Sequence, residues 1–142
     1  MKEGLLMLVL GLASCLAHAG GQEISAVKAG NRTLDVALVG CSYGVRADFM
    51  EMRNGKSIDQ NRAAECTAMG KDQTKTYYEE VKGMFKGKKP PPELIEWRLE
   101  WAAAFDAAMP MPTDTERTYM QRIGEAKQKI DRATNKLEIA LE

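Results

Sequence analysis

Three breaks constrain what this chain can fold into: Asn54-Gly55, the triplet Pro90-Pro91-Pro92, and Pro110-Met111-Pro112. Consecutive prolines cannot continue a helix and favour a stiff extended segment. Gly takes the left-handed conformation that commonly follows a helix C-terminus. Between the breaks, apolar residues recur at steps of three and four, the period of one helix face. A first run, from about Leu34 to Met52, carries Leu34, Leu38, Cys41, Val45, Phe49 and Met52. Ser57-Ile58-Asp59-Gln60 has the form of a capping box and opens a second run with Ala63, Cys66, Gly70, Tyr77, Val81 and Met84 inward, ending at Gly87. Pro92 suits the first turn of a third helix, on which Leu94, Trp97, Trp101, Phe105 and Ala108 share a face. Thr113-Asp114-Thr115-Glu116 forms another capping box before the last run, where Tyr119, Ile123, Ala126, Ile130, Ala133, Leu137 and Ala140 make a heptad seam. The expected fold is an all-α, four-helix-bundle-like single domain over residues 33–142, with 20–32 as a linker of small and polar residues. Taken alone, Leu34–Val39 also fits a short strand.

The N-terminus sets the compartment. A weakly basic start, Met1-Lys2-Glu3-Gly4, precedes an uncharged apolar run from Leu5 to Leu16, and Ala17-His18-Ala19 supplies a small-x-small cleavage pattern. This is the layout of a secretory signal peptide over residues 1–19, with an apolar run too short to span a bilayer. An alternative lies in the same stretch. Leu12-Ala13-Ser14-Cys15 resembles a bacterial lipobox, which would make 1–14 a lipoprotein signal and Cys15 the lipidated first residue. The expected location is therefore periplasmic or secreted, or alternatively that of an outer-membrane lipoprotein facing the periplasm.

Export bears on the other two cysteines. In an oxidising compartment Cys41 and Cys66 are expected to pair, closing a loop of about 25 residues; two buried free thiols are the alternative. If the first two helices form an antiparallel hairpin turning at Asn54-Gly55, the two cysteines differ in height by only about 4.5 Å at the helical rise. Both also fall on apolar stripes.

Twenty basic residues balance twenty acidic ones. Neutrality argues against a nucleic-acid binder and gives no general attraction to anionic membranes, so membrane contact is expected only through a lipid on Cys15. Gly40-Cys41-Ser42-Tyr43-Gly44 matches the G-x-S-x-G elbow of α/β-hydrolases, but that motif needs a strand–turn–helix setting and a His base. The single His of the chain is His18, in the leader. Cleavage after Ala19 removes it, and with it the commonest general base and metal ligand, whereas cleavage before Cys15 would keep it; no catalytic residue, metal or cofactor is assigned. Glu93, Glu96 and Glu100 follow one another along the third helix; they suit a solvated face, with a carboxylate-dependent hydrolase as the enzymatic alternative. Lys82, Lys86, Lys88 and Lys89 form a basic patch that suits either a solubilising turn or contact with a membrane or acidic partner. Trp97 and Trp101, in line with Phe105, fit a core stripe or a partner-binding face. Asn31-Arg32-Thr33 is a glycosylation sequon, relevant only in a eukaryotic source.

Cys41, Ala47, Met50, Arg53, Gly55 and Ser57 form C-x5-A-x2-M-x2-R-x-G-x-S. The pattern resembles one found in small uncharacterised exported helical proteins of proteobacteria and their phages. In those proteins the Cys usually pairs near the C-terminus, where this chain has none. The resemblance implies a helical envelope protein with no assigned catalysis. The functional expectation is a non-enzymatic protein-binding module of the bacterial envelope, such as an inhibitor or immunity protein, whose partner is another envelope protein. The alternative is a structural or envelope-stress lipoprotein. Self-association through the C-terminal heptad helix is a further expectation.

Overall fold

A computed structural model describes residues 19–142. The expected signal sequence, with Cys15 and His18, lies outside the described residues but for Ala19. Four helices make up the rest: α1 (Ala19–Met52), α2 (Gln60–Gly83), α3 (Pro92–Ala107) and α4 (Glu116–Leu141). There is no strand among the described residues, and Leu34–Val39 is helical. No helix among them is long and apolar enough to cross a membrane.

Each helix packs on the next, and α4 returns to α1, so the four form a closed square. Ion pairs along the α1–α4 seam give the direction. Lys28 meets Glu138 at 4.0 Å, Asp35 meets Lys127 at 2.7 Å and Arg46 meets Glu116 at 3.2 Å. Residue numbers rise on one helix as they fall on the other, so the pair is antiparallel. The same reversal relates α3 to α4, where Glu96 meets Lys136 at 2.7 Å and the Ala107 carbonyl accepts from Arg122 at 3.0 Å. This up-and-down arrangement is the one that short loops between successive helices favour.

The first helix is longer than its sequence suggests. Residues 20–32, expected as a linker, are its first three turns. The buried stripe that begins at Leu34 extends back through Gly30 and Val27. Gly30 is where the Tyr77 ring packs, 3.2 Å from the position a Cβ would occupy. Tertiary packing here overrides the poor helix propensity of glycine.

Both N-caps fall two residues later than expected. Asp59, rather than Ser57, caps α2 by accepting from the Arg62 backbone N–H at 2.9 Å. Buried Asp48 on α1 accepts from the Asp59 backbone N–H at 3.0 Å and pairs with Arg62 at 2.6 Å, which stitches the turn closed. Thr115, rather than Thr113, caps α4 in a reciprocal box with Thr118. In both turns a tertiary contact selects among several residues that are all competent to cap. Gly55, at φ +82°, makes the left-handed turn after α1.

The disulfide forms between Cys41 and Cys66, with Cα atoms 5.7 Å apart. In the chain-entropy account a loop of this size contributes about 3 kcal/mol. The core contains Leu34, Leu38, Val45, Val81, Leu94, Phe105, Ile123 and Leu137. On α4 the heptad seam of Tyr119, Ile123, Ile130, Ala133 and Leu137 is buried within the chain. The seam expected to serve a second copy is thus occupied by the bundle itself, and Ala140, its last member, is exposed.

The α3–α4 turn is locked by one guanidinium. Arg122 donates to both oxygens of Asp114 at 2.8 and 2.7 Å, and to the carbonyls of Ala107 and Met109, each at 3.0 Å. Asp114 also accepts from the Met111 backbone N–H at 2.7 Å. The Arg122 hydrogen bonds hold the Asp114 carboxyl below the usual carboxylate range, against the opposing effect of burial. Beneath them, burial pushes the Tyr119 phenol up to about 12; its hydroxyl donates to the Ala108 carbonyl at 2.9 Å.

Two glycine substitutions should act in opposite directions. A Cβ on Gly70 would land on the ring of Phe105, which is fully buried and has nowhere to move. Gly70→Ala should therefore destabilise by about 1–3 kcal/mol, overriding the roughly 1 kcal/mol that helix propensity favours. Gly124→Ala, with open space around it, should stabilise by about 0.5–1 kcal/mol in the same denaturant titration; equal shifts for the two would contradict the packing. Asp114 gives a pH prediction. A carboxyl whose folded pKa is depressed contributes stability above its unfolded value, near 4, and that stability is lost as pH falls through the folded value. Asp114→Asn should cost about 1–3 kcal/mol at pH 7 and much less at pH 2; a difference independent of pH would count against the Arg122 clasp.

Candidate interaction surface

The polar centre of the bundle is Asn31. Its side-chain oxygen accepts from the indole N–H of Trp97 at 2.8 Å and of Trp101 at 2.9 Å. Its amide nitrogen donates to the Thr134 hydroxyl at 3.3 Å. One side chain on α1 therefore satisfies two indoles on α3 and reaches α4. The residues expected as a partner-binding face, Trp97, Trp101 and Phe105, are at most 2% exposed. Their stripe is core because the indoles find their acceptor inside the bundle. Asn31, read in the sequence only as a sequon, has its amide engaged in this network.

A recess of about 340 Å³ opens beside this network between α1 and α4, lined by Asn31, Asp35, Trp101, Lys127, Asp131 and Thr134 among others. Several of its polar groups already serve one another: Lys127 holds Asp35, and Asn31 holds the indole and Thr134. A larger concavity, about 600 Å³, is a polar surface hollow over Gly55–Asn61 at the α1–α2 turn.

The remaining candidates are placed as follows. Ser42 is buried in the middle of α1 and donates to the Val39 carbonyl at 2.9 Å, so the G-x-S-x-G run passes through a continuous helix rather than an elbow. Glu96 pairs with Lys136, while Glu93 and Glu100 are half-buried along α3. No cluster of three or more metal-ligating side chains occurs among the described residues. Lys82, Lys86, Lys88 and Lys89 are all exposed at the end of α2 and in the following turn. Lys82 pairs with Glu79 at 3.4 Å and lies over the Tyr78 ring. Lys86 and Gly87 adopt positive φ, 45° and 85°, which reverses the chain.

The surface feature that stands out lies on the far side of α1. Val36 is 73% exposed, Tyr43 70% and Met50 57%, with Val39 and the small residues Gly40 and Ala47 exposed between them. Steps of seven place Val36, Tyr43 and Met50 on one line of the helix. Polar contacts border the stripe on both sides. Toward α4 run Lys28–Glu138, Asp35–Lys127 and Arg46–Glu116. Toward α2, Arg62 donates to the Gly44 carbonyl at 2.9 Å and pairs with Asp48. An apolar strip with a polar rim is the usual anatomy of a binding patch. Sequence reasoning missed it because the inner stripe of α1 accounted for the helix; the seven-residue spacing from 36 to 50 was the available signal.

Replacing Asn31 with Ala should leave two indole N–H groups buried without an acceptor. A loss of about 2–4 kcal/mol is expected, read by denaturation together with the near-ultraviolet dichroism of the tryptophans; a loss below 1 kcal/mol would show that the node is dispensable. Comparison with family models, with curated proteins and with solved structures returns no match.

Proposed function

We propose that the chain is a non-enzymatic, exported protein-binding module of the bacterial envelope, and that it binds a protein partner through the outer face of α1. The observation that carries this reading is the exposed line of Val36, Tyr43 and Met50 on a helix tied to its neighbours by ion pairs and a disulfide. Isolated exposed apolar side chains are ordinary, whereas an aligned set between rows of polar contacts marks an interaction site. Tyr at the centre of such a patch supplies large contact area with little conformational entropy to lose. The disulfide is compatible with an oxidising location, as the leader layout in the sequence suggests. Two positions of the C-x5-A-x2-M-x2-R-x-G-x-S pattern, Ala47 and Met50, lie on the same stripe.

A photo-crosslinking side chain at position 43 tests the reading in cells that export the protein. A discrete adduct is expected from position 43 and none from exposed Glu65 on α2. Equal labelling from both positions, or none from either, would rule the α1 face out as the binding surface.

A further inference from the structure

The α1 stripe is self-complementary, and from this we infer that its occupant is a second copy of the chain, with the two α1 helices antiparallel about a twofold axis between positions 41 and 42. The inference rests on the reading of this face as a protein-binding surface. In that register Tyr43 lies opposite Gly40 of the other copy, and Val36 lies opposite Ala47. Bulky residues meet small ones along the seam. Gly40 has open space where a Cβ would stand, and an interior glycine costs about 1 kcal/mol in helix propensity. Nothing among the described residues uses that space; a tyrosine ring from the second copy fills it.

Charge points the same way. Arg32 and Glu51 are exposed near opposite ends of the stripe; Glu51 holds Lys56 of its own chain at 2.7 Å, an exposed pair that the guanidinium of a second copy can join or displace. The antiparallel register brings Arg32 of each copy to Glu51 of the other, whereas parallel packing would set Tyr43 on Tyr43 and Arg32 on Arg32. The chain has no net charge, so two copies approach without overall repulsion. A twofold contact of one patch on itself is isologous and closes at two subunits. The paired stretch from 32 to 51 is about 28 Å long at the helical rise, and the polar contacts to α2 and α4 fix α1 before association, which lowers the entropic cost of pairing.

Sedimentation equilibrium of the processed, disulfide-bonded chain tests the inference. A concentration-dependent shift from monomer to dimer mass is expected. Tyr43→Lys should raise the dissociation constant at least tenfold with the helical dichroism unchanged. Arg32→Glu and Glu51→Arg should each weaken the dimer about two- to fivefold, as exposed pairs do, and the double variant should recover. Recovery needs no change to the core, so it is read independently of folding. A chain that stays monomeric at every concentration overturns the inference, as does a dimer indifferent to Tyr43→Lys or a double variant weaker than both single ones. A monomer that still gives a discrete crosslink from position 43 to a different protein overturns self-pairing while sparing the binding-module reading. A monomer without such a crosslink overturns both.

Discussion

Two indole N–H groups converge on the side-chain oxygen of Asn31, and the geometry of the bundle depends on that convergence. In a square of four helices, diagonal partners are the hardest to join. Here α1 and α3 lie on a diagonal, and the tryptophans are long enough to cross it. Burying an indole adds much apolar area, but its N–H must find an acceptor or cost about 1–3 kcal/mol. Asn31 removes that penalty twice with one atom, while its amide nitrogen serves Thr134 on α4. The arrangement specifies register as well as stability. Rotating α3 by one residue, or sliding it by one turn, would carry both indoles away from the oxygen together.

The two ends of the bundle are secured by different chemistry. At the α1–α2 end, the Asp48 contacts to Arg62 and the Asp59 backbone act at the turn, and the disulfide joins the same two helices about three turns of α1 further in. At the α3–α4 turn, Arg122 places its charge-assisted contacts on Met109 and Asp114 in the loop and on Ala107, the last residue of α3. Each device closes one hairpin. Neither joins the two hairpins, and that task falls to the Asn31 node, to Phe105 seated against Gly70, and to the ion pairs between α1 and α4.

Much of this was legible in the residues. The breaks at Asn54-Gly55 and the prolines, the four amphipathic runs and the Cys41–Cys66 pair are local or nearly local signals, and they fix the all-α plan. The N-terminal turns of α1 were not legible, because Gly20, Gly21 and Gly30 read as linker until Tyr77, far along the chain, is seen to need the space over Gly30. The capping residues slipped by two positions for a similar reason: Asp48 and Arg122 choose them from outside the turn. The tryptophan stripe was readable as core or as surface. Only the position of Asn31, 66 and 70 residues away in sequence, separates those readings. A side chain that satisfies partners so distant leaves no periodic trace.

The same reasoning explains why α1 carries a second apolar line. Its inner stripe of Val27, Leu34, Leu38, Cys41 and Val45 already gives the bundle its burial, so folding does not require Val36, Tyr43 and Met50. Exposed side chains of that size add nothing to the folded monomer and favour non-specific contact. Their alignment along one face, with Gly40 and Ala47 between them, is not what scattered surface residues would produce. The outer line therefore calls for a function other than folding. The fold supplies what such a function needs: a continuous helix, tied along one flank by three ion pairs and along the other by a disulfide and Arg62, presenting a narrow apolar seam against which a partner helix can lie.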